Sequence, residues 1–220
     1  MKIIGNGICA PKGFKANGIH CGIRKNKSKR DLALIYSIKK ANAAAIYTTN
    51  LVKGAPLIIT KNHLIDGRAQ AIICNSGNAN TCNPDGLETA SSMCRLLAEK
   101  LSISPTDIVV ASTGIIGRRL DIEPIKSGIP KLVKGLGEKS KSAAEAIMTT
   151  DTKIKEAAVS FTIKGKECRI GGIAKGSGMI NPNMATMLAF ITTDCNISSD
   201  LLQKALSEDV KDTFNMISVD

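Results

Sequence analysis

The chain has 220 residues, 43% hydrophobic and 22% charged, which excludes a disordered tail or a collagen-like polymer and leaves room for a sizeable core. Thirty Lys and Arg against nineteen Asp and Glu give a net charge of +11, yet aromatic residues are 3% and Trp is absent. Stacking platforms for a nucleic-acid partner are therefore scarce. The basic residues are dispersed apart from one run, Arg24 to Arg30, which reads as a solvated loop or a field that attracts small anions. No apolar run reaches the ~18 residues of a membrane span, and Met1–Gly5 lacks the apolar stretch of a secretory signal. A soluble cytoplasmic protein without membrane or nucleic-acid partners is expected.

In chain order, Leu32–Ser37 and Leu57–Thr60 are short extended candidates, and Ala71–Cys74 reads as a buried strand. The strand enters Asn75-Ser76-Gly77-Asn78-Ala79-Asn80, a polar small-residue turn. Leu87, Ala90, Cys94, Leu97 and Leu101 fall at steps of three and four, which predicts one face of a helix closed by Pro105. Asp107–Ala111 is a strand ending in Ser112-Thr113-Gly114-Ile115-Ile116-Gly117. A second helix spans Ile122 to Leu136, kinked or interrupted at Pro130. A short Ala-rich helix covers Lys141–Met148 and stops at Thr149-Thr150-Asp151-Thr152.

Ala157–Ile163 and Cys168–Ile173 form a hairpin around Lys164-Gly165-Lys166-Glu167. A loop from Lys175 to Ala185 follows, then an apolar strand at Thr186–Thr193, then a helix with Ser198 as its N-cap and Ile197 and Leu202 as a hydrophobic staple. Strands and helices mix without strict alternation, so the expected class is α+β. Cys9, Cys21, Cys74, Cys82, Cys94, Cys168 and Cys195 are odd in number and include no Cys-x-x-Cys pair. They read as free thiols, mostly small buried hydrophobes. With only His20 and His63, a His-rich zinc site is not expected.

Gly171 to Ser177 looks superficially like a phosphate-binding loop, but the lysine precedes the glycine and the spacing fails. The longer stretch Gly172-Ile173-Ala174-Lys175-Gly176-Ser177-Gly178-Met179-Ile180-Asn181-Pro182-Asn183-Met184-Ala185-Thr186-Met187-Leu188-Ala189-Phe190 carries more. It resembles the self-cleaving ornithine acetyltransferases, also called glutamate N-acetyltransferases. Ala10-Pro11-Lys12-Gly13-Phe14-Lys15-Ala16, Asn75 to Asn80, Ala111 to Gly117 and Ala146 to Thr152 are similar to that family in the same order.

The resemblance implies layered sheets packed between helices, as in N-terminal-nucleophile hydrolases. It implies self-cleavage between Ala185 and Thr186, giving an α-chain of residues 1–185 and a β-chain that begins at 186. Thr186 is then the nucleophile, Thr113 and Gly114 supply the oxyanion hole, and Thr149, Lys175 and Thr186 contact substrate. A turn role explains Asn75, Asn78 and Asn80 equally well.

The implied reaction moves acetyl from N2-acetyl-L-ornithine to L-glutamate in arginine biosynthesis, with no metal or bound cofactor. Acetyl-CoA is a second donor in some members, and both versions stay open. The implied assembly is a heterotetramer of two α and two β chains. Members continue well past Asp220, so residues 186–220 are expected to be only the start of the β-chain, with part of the pocket absent. The rival readings are an N-terminal-nucleophile aminopeptidase or amidase, with water as acceptor, and a non-enzymatic basic binding protein.

Overall fold

The computed structural model describes residues 1–176 and 187–216. Its strands are β1 (Lys2–Ile4), β2 (Phe14–Ile19), β3 (Leu32–Asn42), β4 (Arg68–Asn78), β5 (Ile108–Ile115), β6 (Lys155–Ile163), β7 (Lys166–Lys175) and β8 (Leu188–Thr193). Its α-helices are α1 (Ala55–His63), α2 (Gly86–Leu101), α3 (Glu123–Lys134), α4 (Ser140–Ile147) and α5 (Ser199–Asp209). One sheet has the order β2-β3-β4-β5 and the other β1-β6-β7-β8. The second is antiparallel throughout, whereas the first ends in a parallel β4/β5 pair.

Alternation along β3 shows how the layers form. Leu32 and Leu34 face a core shared with Met93 and Leu97 of α2 and Ile125, Ile129 and Leu132 of α3. Ala33 and Ile35 face the opposite way, into a core with Ala143, Ala144 and Ile147 of α4 and with Ile173 and Phe190 of the other sheet. A strand buried on both faces reads as an unbroken apolar run, which is why its sequence shows no polar alternation. The α+β class therefore holds, with α2 and α3 on the outer face of one sheet and α4 between the two sheets. That position explains the alanines of α4. A Cβ on Gly18 of β2 would lie 1.9 Å from the Ser142 carbonyl oxygen, so helix and strand touch through their backbones.

Several expectations from the sequence need correction. Leu57–Thr60 is helical, because Pro56 sits in the first turn of α1 and a four-residue apolar run has no decisive period. The helix covers the edge of β5, where the Thr60 hydroxyl donates to the Val110 carbonyl (2.7 Å) and accepts from the Val110 amide (3.0 Å). Pro130 lies inside α3 without ending it. The strands at Ala71–Cys74 and Asp107–Ala111 both run on, to Asn78 and Ile115, through residues taken as turns.

Other expectations stand. Lys164 and Gly165, with φ of 48° and 75°, make the two-residue turn of the β6/β7 hairpin. The Ser198 side chain accepts from the Leu201 amide as the N-cap of α5. All seven cysteines are free thiols, but only Cys9, Cys74 and Cys94 are buried; Cys21, Cys168 and Cys195 are half-buried and Cys82 is exposed. Among the described residues, no helix is long and apolar enough to cross a membrane.

Candidate active site

The parallel β4/β5 pair ends in two glycines opposite each other. Ser76 is in register with Thr113 and Gly77 with Gly114, after which the ladder becomes irregular at Asn78. Both glycines have positive φ, 97° at Gly77 and 132° at Gly114. A Cβ on Gly114 would lie 2.4 Å from the Gly77 carbonyl carbon and 2.6 Å from the Asn78 nitrogen. Only glycine fits, and the result is an exposed stretch of backbone at the end of a buried strand. Thr113, one residue earlier, is buried.

The amides of Asn75, Asn78 and Asn80 hold this strand end in place. Asn75 Oδ1 accepts from Ser112 Oγ (2.6 Å) and its Nδ2 donates to the Asn78 carbonyl (2.9 Å). Asn78 Nδ2 donates to the Arg118 carbonyl (2.8 Å), and its Oδ1 accepts from the Asn80 amide (2.8 Å). Asn80 Nδ2 donates to the Gly86 carbonyl (2.8 Å). The three side chains are thus committed to structural bonds, with Asn75 and Asn78 inside β4 and only Asn80 beyond it. Ser76 Oγ donates to the Ala146 carbonyl (2.6 Å) and ties the same strand end to α4.

Arg24, which the sequence reading did not single out, stands beside this cradle. A Cβ on Gly77 would lie 2.9 Å from Arg24 Cγ, and the guanidinium donates to the Met148 carbonyl. Its Nε is buried and makes no hydrogen bond among the described residues. Burial lowers the pKa of the guanidinium, an effect that Asp31 partly offsets. Asp31 is fully buried and fixes the backbone before Arg24 by accepting from the amides of Cys21 (2.6 Å), Gly22 (3.2 Å) and Arg24 (3.0 Å). The only sequence signal was the Arg24–Arg30 run, and nothing in it marks its first member as inward-facing.

The Met148 carbonyl leads directly to Thr149, which is half-buried, whereas Thr150 is exposed. Asp151 Oδ2 accepts from the Thr149 amide (3.2 Å), while its Oδ1 accepts from the Gly176 amide (2.7 Å) and from Lys155 Nζ (2.5 Å). Burial pushes the Asp151 carboxyl up, but the Lys155 ammonium and the two amides outweigh it and hold the group below its usual value. One ionised carboxylate therefore clamps the loop bearing Thr149 to the end of β7, which bears Lys175.

Lys175 is 3% exposed and alternates on the same face of β7 as Ile173, into the layer between the sheets. Burial lowers its pKa, although the fields of Asp151 and Cys74 oppose the shift. Cys74, fully buried on β4, is pushed up to about 12 by burial, with Lys175 acting the other way. A lysine whose folded pKa lies below 10.5 holds fewer protons than the unfolded chain does between the two values. Its burial cost is fully present below the folded pKa, and stability rises as pH climbs toward 10.5. Denaturant midpoints measured from neutral to alkaline pH are expected to show this rise, and Lys175→Met to flatten it.

Gly114, Thr149 and Lys175 are thus linked by one chain of contacts through Gly77, Arg24, Met148 and Asp151. Ala185 and Thr186 lie outside the described residues. The described chain resumes at Met187, and Leu188 pairs with Lys175 across β7 and β8. The assembly offers a backbone cradle able to donate to a developing anion, a buried cation, and a threonine hydroxyl. Among the described residues one group of possible metal ligands occurs, Cys168, Asp194 and Cys195, at the far end of β7.

Comparison with known proteins places the chain in a family. The chain is 49% identical over 222 residues to the arginine biosynthesis bifunctional protein ArgJ of Caldanaerobacter subterraneus subsp. tengcongensis, covering 100% of this chain and 55% of that protein. It is 49% identical over 226 residues to the glutamate N-acetyltransferase of Methanocaldococcus jannaschii, covering 100% of this chain and 54% of that protein. The chain spans about half the length of the curated relatives it matches.

Among solved structures, the ornithine acetyltransferase of Mycobacterium tuberculosis complexed with ornithine superposes with a TM-score of 0.76 at 34% identity, covering 85% of this chain and 99% of that one. The L-aminopeptidase D-Ala-esterase/amidase of Ochrobactrum anthropi, described as a variant of the Ntn-hydrolase fold, has a TM-score of 0.57 at 13% identity and bears on the fold alone. The ArgJ family model matches residues 15–220, so the glycine cradle, the buried lysine and the two sheets that carry them are those of a chain that belongs to the ArgJ family.

Proposed function

We propose that the full-length protein is a glutamate N-acetyltransferase that cuts itself between Ala185 and Thr186 and then passes acetyl from N2-acetyl-L-ornithine to L-glutamate. The carrying observation is the contact chain that joins the Gly114 cradle to Thr149 and Lys175, at the strand pair where the chain resumes at Met187. The names of the relatives supply the substrates. Chain lengths support the cut. The Mycobacterium chain is almost wholly matched by 85% of 220 residues, about 187, whereas 222 residues make only 55% of the Caldanaerobacter protein, about 400 in all.

In the first step Thr186 Oγ attacks the Ala185 carbonyl, the acyl group moves from nitrogen to oxygen, and water hydrolyses the ester. Thr186 is left with a free α-amine, whose pKa of about 7.7–8.0 compares with about 10.4 for lysine. Near neutral pH its basic form is hundreds of times more populated than that of an ordinary lysine. The amine takes the proton of its own hydroxyl as Oγ attacks the acetyl carbonyl of the donor. Donors at Thr113 and Gly114 receive the oxyanion, ornithine leaves, and the amine of glutamate takes the acetyl group.

Lys175 suits a substrate carboxylate, and Thr149 is tied to the end of the same strand through Asp151. Acyl transfer between oxygen and nitrogen requires no metal or bound cofactor, and acetyl-CoA fits as an alternative donor. The cut chains stay together as a heterotetramer of two α and two β chains in the cytoplasm.

Product analysis of the full-length enzyme tests this. With acetylornithine alone, ornithine release is expected to stop near one equivalent per site, and glutamate is expected to restore turnover with acetylglutamate as product. Continuous ornithine and acetate release without glutamate would instead make the protein a hydrolase.

A further inference from the structure

Cys168 and Cys195 lie outside the site just described. The β7/β8 ladder ends at the Ile170/Thr193 pair, and Cys168 and Cys195 lie two residues beyond that pair, one on each segment. The Asp194 amide donates to the Arg169 carbonyl (3.4 Å), which holds the two segments together one residue past that pair. The two sulfurs and a carboxylate oxygen of Asp194 all lie within 4.8 Å of one another. The cysteines are half-buried, so a small reagent has access.

The surroundings hold this geometry firmly. Asp194 Oδ1 accepts from the Arg169 amide (2.7 Å) and Oδ2 from the Lys12 amide (2.9 Å). Thr193 Oγ1 donates to the Arg169 carbonyl (2.8 Å) and accepts from the Cys195 amide (3.1 Å). The Cys195 thiol, with lesser contributions from Asp194 and Glu167, keeps the Cys168 thiol above its ordinary pKa. Both oxygens of Asp194 already bind backbone amides, which favours a paired-thiol reading over a metal site.

We propose that Cys168 and Cys195 form a reversible disulfide that covalently ties together the two pieces of the cut polypeptide. The tie rests on the proposed cleavage, because Cys168 precedes residue 185 and Cys195 follows 186. The oxidant is a low-molecular-weight disulfide such as oxidised glutathione. One cysteine thiolate opens its S–S bond and releases one glutathione thiol. The second cysteine then attacks the mixed disulfide, forming the Cys168–Cys195 bond and releasing the other glutathione thiol. The two thiol protons end on the two glutathiones.

The test treats full-length protein with oxidised glutathione, quenches free thiols with iodoacetamide, and weighs the denatured protein before and after reduction. The expected result is a single species, equal to the sum of both pieces less two hydrogens, which dithiothreitol separates into two. Cys168→Ser and Cys195→Ser are each expected to give two pieces without reduction. A tryptic digest is expected to contain one linked peptide pair joining Cys168 to Cys195. If the polypeptide proves uncut but the linked pair is found, the thiol pairing stands and the cleavage reading fails. Alkylation of both cysteines after oxidation, a stable glutathione adduct on either, linkage through Cys82 instead, or protection of both by bound zinc that a chelator reverses, would each overturn the proposal.

Discussion

If the proposed transfer runs through Gly114, replacing it with alanine in the full-length protein is expected to lower kcat for acetyl transfer by about 10²- to 10³-fold, the range seen when one oxyanion donor is lost. The expected mechanism is geometric. At φ 132° a side chain is strained wherever it stands, and the added Cβ meets the Gly77 carbonyl carbon at 2.4 Å and the Asn78 nitrogen at 2.6 Å. Both are backbone atoms of β4, so relief comes only from prising β5 away from its parallel partner. That movement rotates the Gly114 amide out of line with the developing oxyanion.

Stability falls as well, by roughly 1–3 kcal/mol for the backbone strain alone. Gly117→Ala is the control. It also has positive φ, 74°, but its Cβ would meet nothing within 4 Å. Gly117→Ala is expected to cost stability through strain while leaving kcat near wild type. Urea midpoints and steady-state kinetics on both variants separate the effects. Equal kcat losses in the two would mean that Gly114 acts through folding and not as a donor.

What could be read in the sequence was whatever local periodicity or turn chemistry decides. The three-and-four spacing of Ala90, Cys94 and Leu97 located α2, and those residues are fully buried in it. Lys164-Gly165 and Ser198 marked a turn and a cap for reasons confined to a few neighbouring atoms. The misreadings share a different cause. Asn75, Ser76 and Ser112 look like turn residues, yet they extend β4 and β5, because their polar groups find partners in each other and in α4. Such partners are set by the layer arrangement and have no local signature.

The same holds for Arg24 and for the cysteine pair. Arg24 turns inward because Asp31 holds the backbone before it, and the run of charges around it pointed the other way. Cys168 and Cys195 are brought together at the far end of the β7/β8 pair, a proximity that a list of cysteine positions does not contain. Within the candidate site, Thr113, Gly114, Thr149 and Lys175 were named from resemblance. The structure adds the physical links between them: the Gly77 contact, the Arg24 guanidinium and the Asp151 carboxylate.

The largest effect is expected at Thr186, since in the proposed mechanism one hydroxyl serves both the cut and the transfer. With Thr186→Ala there is no Oγ to receive the Ala185 acyl group, so the amide persists and no free amine forms. Loss of nucleophile and base together is expected to remove about 10⁶-fold of the transfer rate, as in other hydroxyl-nucleophile enzymes. Thr186→Ser keeps a hydroxyl and is expected to be cut and to retain measurable transfer, which separates chemistry from misfolding. The most direct measurement is the reduced, intact mass of the full-length protein after purification, for wild type and Thr186→Ala, with the acetyl adduct mapped after brief exposure to acetylornithine. Wild type is expected to give two polypeptides, the second beginning at Thr186 and gaining one acetyl group there, and Thr186→Ala a single uncut chain. An uncut wild type that transfers acetyl at full rate, or an adduct on any other residue, would contradict the account.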